Sequence, residues 1–149
     1  MKTLQKFGAM AMLWLAFSSF FPAENQGKLV LEIGNIEKAK GKIWVGVYDK
    51  PEHYFVKEKA IVKAVPVSRT GKAALEINRL QYGTYAIAMF HDLNGNGKLD
   101  QNALGVPTEP YAFSKLPKSK WRLPKFEEVK FTFHRNNQVV HAQLKRWWE

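Results

Sequence analysis

The chain has 149 residues, with 23 Lys and Arg against 13 Asp and Glu, so its formal net charge is +10. This length is typical of one domain, and the absence of cysteine excludes disulfides, zinc–thiolate sites, iron–sulfur clusters and cysteine nucleophiles. Ten Phe, five Trp and five Tyr are too many for a disordered chain. The positive charge favours anionic partners without selecting one.

Residues 1–23 read MKTLQKFGAMAMLWLAFSSFFPA, the pattern of a Sec-type secretory signal peptide. Lys2 and Lys6 give a basic start, and residues 7–21 follow without a charge, which is shorter than the about 20 apolar residues of a membrane span. We predict cleavage after Ala23 and a periplasmic or secreted protein, with an uncleaved N-terminal anchor as the alternative. Export argues against a nucleic-acid partner, and we expect a monomer.

Seven later segments show the alternation or the β-branched and aromatic enrichment that is typical of strands. They are residues 29–33, 43–47, 60–68, 73–77, 84–91, 129–133 and 140–144. Turn-forming residues separate them, and residues 51–59 are the best, though weak, candidate for a short helix. We predict one all-β domain over residues 27–146: a single antiparallel β-sandwich of about seven strands, prealbumin- or immunoglobulin-like.

The oxygen-rich loop, residues 92–109, follows the fifth predicted strand and has the spacing of an EF-hand-type calcium loop. Oxygen-bearing side chains stand at its positions 1, 3, 5 and 9, namely Asp92, Asn94, Asn96 and Asp100. Gly97 stands at position 6, where a sharp turn is needed, and the carbonyl of Lys98 at position 7 offers another oxygen. The spacing therefore predicts a candidate Ca²⁺ site.

The oxygen-rich loop also departs from the EF-hand pattern. Position 12 is Ala103, where a bidentate Glu is expected, so Glu109 is the candidate for a further ligand. So few carboxylates predict weak affinity, about 10⁻⁴–10⁻³ M. The alternative is an ordered loop without metal, because Asn-Gly-Asn-Gly forms turns by itself.

His91 precedes Asp92 and raises the alternative of a small hydrolase that uses both side chains beside Glu109. No nucleophile motif such as G-x-S-x-G accompanies them, so no catalytic residue is predicted. Alternation places His91 on the face of Tyr85, Ile87 and Met89, which predicts a strand-end histidine bonded to loop backbone.

The basic segment, residues 114–125, reads SKLPKSKWRLPK and holds five basic residues and no acidic one. One interpretation is association with an anionic cell-envelope surface, of lipid or polysaccharide. The other is a solvated loop, because charge alone selects no ligand.

Two runs give the chain a family resemblance. The first comprises Phe90, His91, Asp92, Asn94, Asn96, Leu99 and Asp100, and the second Gly105, Pro107, Glu109, Tyr111, Ala112, Phe113 and Ser114. Together with G-x-I-x-V-x-V-Y at residues 41–48, they resemble the domain of unknown function 2141 family of small exported bacterial proteins. The resemblance implies an exported β-sandwich and no reaction. We therefore expect a non-enzymatic protein that binds a ligand or a partner.

Overall fold

The computed structural model describes residues 25–149, so the predicted signal peptide lies outside the described residues. The strands are β1 Gln26–Ile36, β2 Lys42–Tyr48, β3 Ile61–Pro66, β4 Gly71–Gln81, β5 Gly83–Asp92, β6 Tyr111–Phe113, β7 Phe131–Phe133 and β8 Gln138–Gln143. One helical turn, α1, spans Phe126–Val129, and two short 3-10 turns lie at Pro51–His53 and Lys57–Lys59. No helix among residues 25–149 is long and apolar enough to cross a membrane.

The strands form two sheets, as predicted for an all-β sandwich. The smaller sheet has the order β4-β1-β8, and the larger has the order β3-β2-β5-β6, with β7 also paired to β5. All pairings are antiparallel except that of β1 with β8, which is parallel. β8 reaches β1 after a long connection through the larger sheet, so its direction is not dictated by a hairpin turn.

The core lies between the sheets. Alternate residues of each strand fill it, because successive side chains point to opposite faces. The largest buried members are Phe133, Leu29, Leu31, Ile33, Ile43, Ile87 and Leu144. The inner face of β2 and β5 thus follows the alternation visible in the sequence.

The outer face of the larger sheet is apolar as well. At one end, Tyr48 and Ala86 are buried under Phe126 and Val129 of α1, forming a second cluster. At the other end, Trp44 and Phe90 carry the apolar surface onward. A strand with two apolar faces needs a cover on both, and here α1 and the loops provide only part of the outer one.

Two elements differ from the sequence expectation. β6 was not among the seven predicted segments; it is three residues long and exists because Ala88–Phe90 of β5 offer it hydrogen-bonding partners. Val129 was predicted to begin a strand but ends α1, and the strand starts at Phe131. Its spacing of three residues from Phe126 suits one helical turn, whereas its spacing of two residues from Phe131 suits a strand.

Gly41 fixes the approach of the β1–β2 connection to the end of β5. Its φ is +71°, and a Cβ placed on it would collide with the backbone carbonyl of Asp92. Only glycine combines this backbone angle with such close contact. The β1–β2 connection therefore packs closely against the end of β5, where the oxygen-rich loop begins.

Candidate functional site

Asp92 organises the start of the oxygen-rich loop. Its Oδ1 accepts hydrogen bonds from the backbone N–H of Gly95 at 2.7 Å and of Asn96 at 3.2 Å. Its Oδ2 accepts from Gly97 N–H at 2.8 Å and from the Trp44 indole at 3.1 Å. A carboxylate offers about four lone-pair sites, and all of them are engaged here by protein donors.

These donors stabilise the ionised form of Asp92. The side chain is 1% exposed, and burial by itself raises its pKa. The indole and the three backbone N–H groups outweigh burial, so the pKa of Asp92 is lowered from its ordinary value. Asp92 is therefore an ionised, fully bonded group.

Glu109 closes the other end of the loop. It is 4% exposed and accepts Leu93 N–H on Oε1 at 2.8 Å and Asp100 N–H on Oε2 at 3.2 Å. The residue does fold back onto the loop, as its candidacy as a ligand required. Both of these contacts are with backbone N–H groups, so Glu109 links the end of the loop to Leu93 near its start and to Asp100.

Three further predicted ligands meet on the exposed side of the loop. Asp100 accepts the side-chain amides of Asn94 at 2.6 Å and of Asn96 at 2.8 Å. Asn96 Oδ1 in turn accepts Lys98 N–H at 2.8 Å. Among residues 25–149, no three His, Asp or Glu side chains lie close enough together to form a metal site. Calcium binding by this loop stays a prediction.

Gly97 adopts a φ of +75°, the left-handed conformation that its position in the turn requires. Leu99, close to this turn, lies on the outer side of the larger sheet. It is half-buried and lines a groove on the outer face of the larger sheet.

His91 and Asp92 lie on opposite faces of β5. The ring of His91 is 1% exposed among core residues, and its Nε2 is 2.7 Å from the backbone carbonyl of Lys40. Asp92 faces Trp44 on the other side. Two buried groups on opposite faces cannot share one substrate, so this geometry does not support the hydrolase alternative.

The outer groove is a cavity of about 850 Å³ on the outer face of the larger sheet. Its floor includes the cross-strand pair Gly46 and Ala88, which is flanked by the pair Trp44 and Phe90 and by Tyr48. The ring of Tyr48 lies over Gly46, where a Cβ would come within 2.7 Å of the Tyr48 hydroxyl oxygen.

Loops form the walls of the outer groove. The chain has ten exposed large hydrophobic side chains among its described residues, and six line this one groove: Phe55, Val62, Leu104, Leu116, Trp121 and Leu123. Leu104 is 87% exposed and Trp121 is 78% exposed. Exposed apolar side chains gathered in one place indicate a binding surface.

The wall formed by the basic segment is fixed in place. Arg122 donates two hydrogen bonds of 2.8 Å to the carboxylate of Glu128 at the start of α1. The Arg122 hydrogen bond, with a smaller contribution from Lys125 N–H, lowers the pKa of Glu128 to about 2. Trp121 contacts Trp147 edge to face, with ring centroids 5.5 Å apart. Part of the basic segment thus lines the outer groove, and its association with an anionic cell-envelope surface, of lipid or polysaccharide, stays a prediction.

Phe55 adds a strained position to the groove. Its φ is +63°, although it is a bulky residue, and its ring is 43% exposed. Such backbone costs about 1–3 kcal/mol and persists mainly where surrounding structure or function requires it. The ring of Tyr54 packs on it, with centroids 4.0 Å apart.

The sequence interpretation missed the groove residues because each looked ordinary in its own segment. One signal was present: β2 reads KIWVGVY, with apolar residues at both odd and even positions. Such a strand needs cover on both faces, and the cover of its outer face had to come from the loops.

Comparison with known proteins gives one match. A model of the family described as "Uncharacterized protein conserved in bacteria (DUF2141)" matches residues 31–141, which include the oxygen-rich loop and the basic segment. No curated protein and no solved structure matches the chain.

Proposed function

The chain belongs to the DUF2141 family of uncharacterised bacterial proteins, and we propose that it is an exported, non-enzymatic binding protein whose outer groove takes an elongated apolar ligand. One observation carries this proposal: six exposed large hydrophobic side chains from four separate segments converge on one concave site. Small-molecule sites are typically apolar clefts of about 300–1,000 Å³, and the outer groove has this size and character.

A neutral fluorescent probe tests the proposal. N-phenyl-1-naphthylamine brightens when it leaves water, and we expect saturable binding of one probe per protein, with transfer of excitation from Trp44, Trp121 and Trp147, which line the groove. Absence of saturable binding would refute the proposal.

A variant that fills the floor localises the binding. Ala88→Leu places a larger side chain on the floor beside the pair Trp44 and Phe90, and we expect at least a tenfold loss of probe affinity. Ala74→Leu makes the same change at an exposed position of the smaller sheet and should bind as wild type. Equal binding by all three proteins, each folded by circular dichroism, would place the probe elsewhere.

A second candidate function is weak calcium binding by the oxygen-rich loop. The observation in its favour is the convergence of Asn94, Asn96 and Asp100, whose side chains lie within 2.6–2.8 Å of one another's polar atoms. Rotation of the two amides would turn their oxygens toward the carboxylate, which is the donor set that calcium prefers. Asp92 is the least suited of the predicted ligands, because protein donors already use its oxygens.

Thermal unfolding with and without calcium tests this second function. At a calcium concentration ten times the dissociation constant, binding would stabilise the folded state by about 1.4 kcal/mol. We expect the shift with Ca²⁺ and its loss in Asp100→Asn, with Asp49→Asn as a control at an exposed carboxylate outside the loop. No shift at millimolar calcium would reject the site.

A further inference from the structure

Building on the proposed groove function, we infer that the ligand is an anionic single-chain amphiphile, of the class of a long-chain fatty acid. Its alkyl chain would lie in the outer groove and its carboxylate at the lysine rim, formed by Lys57, Lys120 and Lys145. The inference names the ligand's chemical class, which the proposed function leaves open. Charge, polarity and shape each contribute to it.

The charge of the lining is entirely of one sign. Four cationic residues line the groove, and no Asp, Glu or His does: the four are Lys57, Lys120, Arg122 and Lys145. Arg122 is engaged by Glu128. The three lysines form no ion pair with any residue in the described part of the chain. These three residues are the lysine rim.

Lys145 is the most informative of the three. It is half-buried, and its backbone is fixed by two hydrogen bonds of 3.0 Å with Tyr111. Lysine is seldom buried without a partner, and an anion from outside the chain would give this partly buried residue the partner that the described residues do not supply. A cationic or zwitterionic amphiphile would place positive charge against this rim.

The polarity of the lining argues against a carbohydrate. Besides tyrosine hydroxyls and tryptophan indole N–H groups, only Gln101 and Ser119 offer neutral polar side chains. Ser119 already accepts Trp121 N–H at 3.2 Å, and the Trp44 indole already donates to Asp92. A sugar exposes hydroxyl groups that would lose their water without finding partners here, and each unpaired polar group costs about 1–3 kcal/mol. An alkyl chain has no such groups to satisfy.

The shape argues for a single chain rather than a membrane surface. Gly46 and Ala88 line the same cavity as Leu104 of one loop and Trp121 of another, and they are much less exposed than these two side chains. A bilayer is broad and would meet the wall tips but would leave the floor empty, whereas one alkyl chain can contact floor and walls together.

Displacement of the neutral probe by matched amphiphiles tests the inference. Dodecanoate, dodecanol and dodecyltrimethylammonium share one chain and differ in head charge. Below micelle formation, we expect dodecanoate to displace the probe at about tenfold lower concentration than dodecanol, with the cationic compound weakest. The advantage of dodecanoate should shrink as salt is raised, because screening weakens the ion pairs.

Charge reversal locates the head group. Lys145→Glu should lose about tenfold in dodecanoate affinity while dodecanol displaces the probe as in wild type. Lys57→Glu and Lys120→Glu provide two further members of the rim, and Lys72→Glu, on the smaller sheet, is the charge-matched control that should change nothing.

The possible failures are distinguishable. If the probe does not bind, the groove function itself is refuted. If the three amphiphiles displace a bound probe equally, the groove function stands and the anionic class is rejected. If the protein is retained on phosphatidylglycerol vesicles and dodecanoate does not release it, the face binds membranes and the single-chain ligand is rejected.

Discussion

Asp92 joins three parts of the molecule through one buried carboxylate. It receives an indole N–H from β2 and backbone N–H groups from the oxygen-rich loop, and it belongs to β5 itself. Hydrogen bonds to a charged acceptor contribute about 1.5–3 kcal/mol each in favourable cases. Its structural role holds with or without a metal ion.

Replacement of this carboxylate should destabilise the protein. In Asp92→Asn, the amide NH₂ faces N–H donors, so at least two hydrogen bonds are lost, and we expect the free energy of unfolding to fall by about 3 kcal/mol. Urea denaturation measures it. Asp49→Asn, at an exposed carboxylate bonded to His53, should cost less than about 1 kcal/mol. Equal losses in the two variants would contradict this role.

The Asp92 carboxylate should also affect how the free energy of unfolding depends on pH in acid. The folded pKa of Asp92 lies below its unfolded value, so its contribution is complete above the unfolded pKa of about 3.9 and is lost as pH falls through the folded pKa. The difference in unfolding free energy between wild type and Asp92→Asn should therefore shrink as pH falls from about 5 to about 2. Urea titrations at each pH would show it; a constant difference would mean that charge is not the cause.

At the scale of elements, whether a strand or helix could be predicted from the sequence depended on the interactions that stabilise it. β2 and β5 were visible in the sequence because their alternating residues face a core. β6 was not, because three residues after Pro110 become a strand only when β5 supplies hydrogen bonds. α1 was not predicted because Val129 also fits the strand alternation of Phe131 and Phe133. The oxygen-rich loop was located by its spacing, but whether its oxygens face a cation or N–H groups depends on tertiary contacts.

The close packing of the β1–β2 connection on β5 can be tested with two glycines. Gly41→Ala introduces a Cβ into the Asp92 carbonyl as well as an unfavourable φ, so the backbone must move, and we expect a loss above about 3 kcal/mol. Gly71→Ala has a similar φ, +95°, with open space around it, and should cost only about 1 kcal/mol. Thermal unfolding of both variants compares contact plus strain with strain alone; similar losses would contradict the contact.

At the scale of the whole molecule, an edge strand is guarded against association. β3 is the outer strand of the larger sheet, and Lys63 lies opposite Val45, so its side chain is on the core side. Pro66 adds a residue without an N–H. An inward charge and a proline are both features that disfavour edge-to-edge pairing; the monomer stays a prediction.

Removal of the inward charge should therefore promote association. In Lys63→Val, β3 becomes a fully apolar edge, and we expect concentration-dependent dimers or larger species in sedimentation velocity. Lys38→Val, in the β1–β2 connection, removes the same charge away from any edge and should sediment as wild type. A monomeric Lys63→Val protein would show that other features protect the edge.

The groove itself could not be read from the sequence, because it is a product of chain topology. Leu104 and Trp121 are far apart along the chain, and both line the outer groove once β6 has paired with β5. In a single segment, Trp121 among lysines is equally compatible with solvent or membrane. The sequence could nevertheless indicate that the outer face needed a cover, through the apolar residues on both faces of β2.

β5 carries apolar residues on both faces, and this has a consequence for its alignment with β2. Its odd residues, such as Ile87 and Met89, belong to the core, and its even residues, Ala88 and Phe90, belong to the groove. Slipping by one residue against β2 would exchange the two sets, filling the floor with a bulky side chain while leaving a small one in the core. A misaligned sheet would thus lose the packing of its core and the shape of the outer groove in the same step, so the groove has its shape only when the two strands are in the native register.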